Sequence, residues 1–410
     1  MATPQSGTAA NEKTVRQRGL ITARTGERNG GFHSFRQIFS DAQPCMRTPD
    51  KPLIWIVFIR HQNWYVRQYQ SYGPYPLLSF LVLFLVAAVG CAVLLAVLIR
   101  VLPRRFLAAD VNARSNHEVE ARQIGGLAVI PVALVLLACF GPGFGLPTGS
   151  LLLVLSAALL LWLIGFLDDR SPQPVSVRFL AQGVAAALCV YALPEGLRVL
   201  PDAIPIVIER ALLFLGLVYF INIVNFMDGL DLMVVSGLGL PLMALGLFAA
   251  IGLAGAGAGT FATILAGALA GFALFNKPKA RVFLGDSGSL PLGLLAAMAL
   301  ILAVPTLGLA AVLILPLYFL ADATATLIKR LIAGENILAS HSQHAYQNAK
   351  RSGWPVARII LSLTALNVIL ALCALLVAWA PNLPVTLAGA AAALAATIVI
   401  LLRFRSRPLR

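Results

Sequence analysis

From Leu77 to Ile99 the chain runs 23 residues without a charged side chain, and Arg100 ends the run. About 20 apolar residues in a helix cross the hydrocarbon of a bilayer. In lipid every backbone N–H and C=O must pair internally, which leaves helices and closed barrels as the only spanning forms. Further apolar runs lie at about 124–141, 149–167, 178–193, 207–226, 231–252, 257–275, 286–303, 306–327, 357–379 and 384–402, which makes eleven. The expectation is an all-α, polytopic integral membrane protein with about 11 transmembrane helices. Composition agrees: 59% of the 410 residues are hydrophobic and 12% charged. A soluble domain carries about a quarter charged residues, so a water-soluble enzyme is excluded. Four of the five cysteines sit inside apolar runs and none forms a CxxC; they read as small buried hydrophobes.

The net charge of +14 would suggest nucleic acid in a soluble protein. In a membrane protein the question is which loops hold the cations. The loops after spans 1, 3, 5, 7 and 9, with the C-terminal tail, hold 19 Lys+Arg; the loops after the even spans hold two, Arg198 and Arg210. Cytoplasmic loops carry the excess of Lys and Arg. The C-terminus and odd loops are therefore expected in the cytoplasm, the N-terminus outside, and no nucleic-acid partner is implied. Residues 1–73 run against this, with ten Lys+Arg and four acids. They are expected to be a basic extension, disordered or preceding the true start, ahead of a membrane domain at 74–410 whose catalytic loops fall at about 100–124, 168–177, 227–231, 276–289 and 328–357.

The acids are more telling than the bases. Asp168-Asp169 follow span 3. Asn225-Phe226-Met227-Asp228-Gly229-Leu230-Asp231 follow span 5. Asn276, Lys277, Lys279 and Arg281 precede Gly285-Asp286-Ser287-Gly288 after span 7, and His341 to Gln347 close the loop after span 9. All lie on the expected cytoplasmic side. Five carboxylates on one face repel one another unless a cation joins them. Mg²⁺ takes one or two protein carboxylates and completes its shell with water and phosphate oxygens. Asp228 and Asp231, at i,i+3, share a face if the stretch is helical. Lys and Arg contact phosphate, and Gly285 and Gly288 let backbone amides approach an anion. Together these describe a Mg²⁺ site, with Mn²⁺ as the alternative ion, for a pyrophosphate-containing substrate beside the bilayer. Each piece alone has a plainer reading: Asp168-Asp169 as a cap or ion-pair partner, Asp-Gly-Leu-Asp as a turn, Gly-Asp-Ser-Gly as an N-cap, His117 as a surface histidine. His341 and His344 have zinc-ligand spacing but no third ligand nearby.

These motifs resemble those of the polyprenyl-phosphate N-acetylhexosamine-1-phosphate transferase family, over about residues 77–402. Asp110-Val111-Asn112-Ala113-Arg114-Ser115-Asn116-His117 with Gly125-Gly126 is similar to its D-x-P-N-x-R-S-x-H…GG segment. Asp168-Asp169, followed by Arg178 and Gln182, is similar to its Asp-Asp motif, and 225–231 to N-x-x-D-G-x-D. Asn276 to Ser289 resembles N-x-P-P-A-R-x-F-x-G-D-x-G-S, and His341 to Gln347 the H-R-S-H-A-Y-Q form of the O-antigen-initiating branch. The chain departs from the pattern at several places. Val111, Arg122 and Lys279 stand at prolines, Leu232 at a glycine, and Ser342-Gln343 at Arg-Ser.

The resemblance implies transfer of N-acetylhexosamine-1-phosphate from a UDP-N-acetylhexosamine to undecaprenyl phosphate with release of UMP. It implies a bacterial inner-membrane protein acting at the first membrane step of cell-surface polysaccharide synthesis, with homodimerisation left open. By the same resemblance Asp286 is the principal Mg²⁺ ligand, with Asp228 beside it. Asp168 and Asp169 orient or deprotonate the lipid phosphate. Asn225, Asp228 and Asp231 contact the nucleotide and shape the metal site; His341 and His344 contact the sugar phosphates. His117, Asn276, Lys279 and Arg281 complete the substrate-binding set. The rival readings are a multi-pass lipid or solute transporter or flippase, which would carry charges mid-span, and a catalytically silent scaffold of the same fold.

Overall fold

The computed structural model describes residues 77–108, 121–144, 146–336 and 342–405; the 1–73 extension lies outside them. Among the described residues the chain is helical, with thirteen α-helices. In order they are α1 (Leu77–Val101), α2 (Gly126–Phe140), α3 (Thr148–Arg170), α4 (Val175–Ala192), α5 (Ile206–Phe226), α6 (Leu240–Ala250), α7 (Ala256–Asn276), α8 (Asp286–Leu307), α9 (Leu309–Ile314), α10 (Leu317–Ile332), α11 (Ala345–Arg351), α12 (Val356–Trp379) and α13 (Leu383–Arg405). Nine are long and apolar enough to cross a membrane: α1, α2 with the turn that continues it, α3, α4, α5, α7, α8, α12 and α13.

Two of the eleven expected spans take another form. The run at 231–252 begins with a turn and a π-helical turn (Val235–Gly239) and leaves only α6 as regular helix. The run at 306–327 breaks at Pro316 into α9 and α10, because proline has no N–H and its ring clashes with the preceding turn. Four other prolines do the opposite work. Pro147, Pro174, Pro205 and Pro355 stand directly before α3, α4, α5 and α12, where the missing N–H leaves nothing unsatisfied.

The core is built on α7 and α8. Of each of these spans 78% is buried, against 17% for α13 and 22% for α1. α1 lies along α7, while α3 and α5 flank α8. Gly267 and Gly271, four residues apart on α7, allow the α1 contact: a Cβ on either would stand 2.4 or 2.2 Å from the carbonyl oxygens of Phe84 and Ala88. Small residues at this spacing let helices approach closely in lipid, where apolar burial alone cannot drive association. No charged side chain lies mid-span on α7 or α8, which does not fit the transporter reading.

The two ends of the bundle differ. At one, Glu209 of α5 is fully buried and paired to Arg198 Nε at 2.8 Å; its other oxygen accepts the Val199 N–H at 2.7 Å. Arg210 donates to the carbonyls of Pro194 and Leu197. At the other end the C-termini of α3, α5 and α7 meet the N-termini of α2, α8 and α11.

Candidate active site

Asp286 opens α8. Its Oδ1 accepts a hydrogen bond from Asn225 Nδ2 at 2.8 Å, and the same amide reaches Ser289 Oγ at 2.9 Å. Its Oδ2 lies 3.5 Å from Arg178 Nη1, which also pairs with Asp168 Oδ2 at 3.4 Å. Asp168 Oδ1 accepts the Gln173 N–H at 2.8 Å. Arg178 thus ties two of the expected acids together from the first turn of α4.

Asp169 has a task that its motif did not foretell. Its two oxygens accept the backbone N–H groups of Asp286 and Ser287, at 2.7 and 3.0 Å. It therefore caps α8 from the end of α3, satisfying two amides that a helix start leaves without partners. Gly285 makes room for this: its φ is +74°, and a Cβ there would stand 2.6 Å from the Asp169 carboxylate. On the far side a Cβ at Gly126 would lie 2.2 Å from the Gly288 nitrogen, so the Gly pair lets α2 start flush against α8. The segment at 122–126 runs beside 281–284 through backbone bonds from Phe283 N–H to Arg122 and from Gly125 and Gly126 N–H to Phe283 and Leu284. Arg122, standing at a family proline, donates to the carbonyls of Ile99, Leu102 and Pro103. It caps the C-terminus of α1, where a cation is favoured.

Asp228 is half-buried beyond the last residue of α5, and no hydrogen bond to its carboxylate is found among the described residues. Burial first, then the charges of Asp286 and Asp169, hold its carboxyl well above the usual carboxylate range. Residues 227–231 form a turn, so Asp228 and Asp231 do not share a helix face. Asp231 is buried and accepts the Ala280 N–H at 3.2 Å, joining its loop to the next. Asn276 does the same, accepting the Leu232 N–H at 2.7 Å and donating to Val282 O at 2.8 Å. Leu232 adopts φ +59°, the left-handed region that explains the family's glycine at this position. Lys277, Lys279 and Arg281 are exposed around these anchors.

His344 is buried before α11, its ring stacked between Phe226 and Tyr346 at 6.2 and 6.0 Å. Tyr346 Oη donates to Phe226 O at 3.0 Å. Burial, then the Asp322 and Asp228 charges, keep this phenol well above its ordinary pKa and so protonated. Ser342, at the family's arginine position, accepts a hydrogen bond from Arg351 Nη1 at 3.2 Å. His117 and His341 lie outside the described residues. The structure therefore brings Asp168, Asp169, Asn225, Asp228 and Asp286 together directly. It ties Asp231 and Asn276 into the loops behind them and adds Arg178, Ser289, Tyr346 and Asp322. Of these, Arg178, Ser289 and Tyr346 had a signal in the sequence, as members of the matched motifs; Asp322 had none.

Residues 151–304, which contain most of this constellation, match glycosyl transferase family 4. A decaprenyl-phosphate N-acetylglucosaminephosphotransferase of Mycolicibacterium smegmatis is 30% identical over 331 residues, 70% of this chain and 79% of that protein. The chain belongs to glycosyl transferase family 4. It is a multi-pass membrane transferase, as its spans and its family together require. It is also similar to a phospho-N-acetylmuramoyl-pentapeptide-transferase of Nostoc sp., 30% identical over 62% of this chain and 73% of that protein. A probable undecaprenyl-phosphate N-acetylglucosaminyl 1-phosphate transferase of Bacillus subtilis is 24% identical over 68% of this chain and 79% of that protein.

Proposed function

We propose that this protein transfers N-acetylhexosamine-1-phosphate from a UDP-N-acetylhexosamine to undecaprenyl phosphate. UMP is released, and the reaction is the first membrane step of a cell-surface polysaccharide of the O-antigen type. The observation that carries the reading is Asp228: a half-buried carboxyl that has no hydrogen-bonded partner among the described residues and faces the charge of Asp286. Such a pair is relieved by a proton or by a cation between its members. Among the described residues no three acidic, imidazole or thiol groups form a closed cage. Mg²⁺ needs one or two protein carboxylates and takes phosphate oxygens for the rest. When bound, the ion would neutralise charge on the pyrophosphate.

This chain's own residues supply the remainder. Asn225 holds Asp286 in place, and Asp169 fixes the helix start that carries it. Asp168 and Arg178, at the end of α3 and start of α4, meet the lipid phosphate where a headgroup lies. The second pKa of a phosphate is near 6, so the nucleophile is largely dianionic at neutral pH and the acids position it without a strong base. One of its oxygens attacks the sugar-bearing phosphorus; the new P–O bond forms as the bridging P–O bond breaks, and UMP leaves with the electron pair. Exposed Lys277, Lys279 and Arg281 offer the nucleotide its counter-charges. The 19-to-2 split of cationic residues supports a cytoplasmic position for this end of the bundle, where UDP-sugars are made.

The test mixes purified protein, undecaprenyl phosphate, Mg²⁺ or Mn²⁺ and a panel of UDP-sugars, and measures UMP. Metal-dependent UMP release from an N-acetylated donor is expected. Release from none of the donors would overturn the reading.

A further inference from the structure

Asp322 lies in the apolar run that Pro316 breaks, on α10, and only 2% of it is exposed. Its carboxylate gathers groups from two helices. Oδ2 accepts the Tyr318 hydroxyl at 2.9 Å. Oδ1 accepts the backbone N–H of Ala345, the first residue of α11, at 2.8 Å. The same oxygen receives Thr326 Oγ1 at 3.4 Å and lies 3.8 Å from His344 Nδ1. One residue beyond the capped amide, Tyr346 donates to Phe226 O, and a Cβ at Gly229 would stand 2.2 Å from its hydroxyl. Asp228 lies between Phe226 and Gly229. A continuous path of short contacts therefore runs from Asp322 through the start of α11 to the backbone on either side of Asp228.

A buried carboxylate is costly unless its oxygens are satisfied. A helix as short as α11 would not hold one orientation by its own backbone bonds. We propose that Asp322 is a positioning residue for the nucleotide-sugar side of the site: it seats α11 so that His344 and Tyr346 fix the loop that bears Asp228. Asp322 touches no reacting atom. It acts through the Ala345 amide and the His344 ring. The proposal rests on the transferase reading above.

The experiment compares Asp322→Ala, Asp322→Asn and Tyr318→Phe in steady-state UMP release with varied UDP-GlcNAc and varied Mg²⁺. Asp322→Ala is expected to raise KM for UDP-GlcNAc roughly tenfold or more, the scale of one lost hydrogen bond to a charged group. Its Mg²⁺ dependence should stay that of the wild type. Asp322→Asn keeps an oxygen for the Ala345 amide and should recover most of the loss. Tyr318→Phe removes a bond on the far side of the carboxylate and should change KM less than about twofold, even where it lowers thermal stability. A folded Asp322→Ala protein with unchanged KM, or one whose KM follows stability as Tyr318→Phe does, would overturn the proposal. Hydrogen exchange on Asp322→Asn and Asp322→Ala keeps the question separate from the transferase reading. Lost protection confined to 342–351 and 226–229 supports the positioning role even if the wild type releases no UMP; uniform loss or none overturns it.

Discussion

The two ends of the bundle use charge in opposite ways. Around Glu209 a fully buried acid has its guanidinium partner at 2.8 Å and a backbone amide on its second oxygen, while Arg210 is spent on carbonyls. Around Asp286 the acids outnumber their partners. Arg178 is divided between two carboxylates, Asp169 is engaged as a helix cap, and Asp228 faces like charge. The paired end secures the fold. The crowded end stores an electrostatic demand that a cation and a phosphate would meet.

Breaking each end should separate these roles. The largest effect is expected from Asp286→Asn, which should reduce UMP release about a hundred- to a thousandfold, the scale on which removal of a principal electrostatic group acts, while thermal unfolding in detergent changes little. Arg198→Ala at the opposite end should do the reverse. It strands Glu209 without its partner and should cost about 3–5 kcal/mol of stability, with the rate per folded molecule close to wild type. If Arg198→Ala lowers the folded enzyme's rate as much as Asp286→Asn, the division between the ends fails.

The pH dependence of metal binding sharpens the comparison next. The folded-state pKa of Asp228 is raised, so a bound ion must displace a proton that an ordinary carboxyl would already have lost. Mg²⁺ affinity, read by calorimetry, should therefore weaken as pH falls, beginning above the ordinary carboxylate range, with proton release on binding. The same raised pKa makes ionised Asp228 a stability cost that grows as pH rises and is relieved by the ion. Asp228→Asn should flatten the pH profile. An unchanged slope in that variant would place the titrating group elsewhere.

Two smaller effects concern the frame. Arg122→Ala removes the donors that cap α1 and should cost about 1–2 kcal/mol, read as a lowered unfolding midpoint. Leu232→Gly should change stability by less than about 1 kcal/mol, because relief of the left-handed backbone offsets the greater freedom of glycine in the unfolded chain. A large loss there would show that the Leu232 side chain outweighs its backbone.

Much of the site was legible because its chemistry is written locally. Asn225 and Asp228 lie within one motif, and Asp286 between two glycines, so residue type and spacing announced them. Asp169 was legible as an acid but not as a cap, since the amides it accepts are 117 and 118 positions away. Asp322 gave no sign: a single acid in an apolar run looks the same whether it meets lipid, solvent or a neighbouring helix. Leu232 could be marked as unusual only against the family pattern, and its φ of +59° supplies the reason.

By itself the sequence determined that this chain lives in a bilayer as helices, because 23 uncharged residues in a row leave the backbone no other way to satisfy its hydrogen bonds. It also determined which end of the bundle carries the acids, since each motif follows or precedes a span of known length. Tertiary structure decided the division of labour among those acids. Whether a carboxylate caps a helix, braces a loop or is left facing another charge depends on which helix ends the glycine contacts of α2, α3, α7 and α8 allow to approach closely, and that approach is not encoded in any one segment.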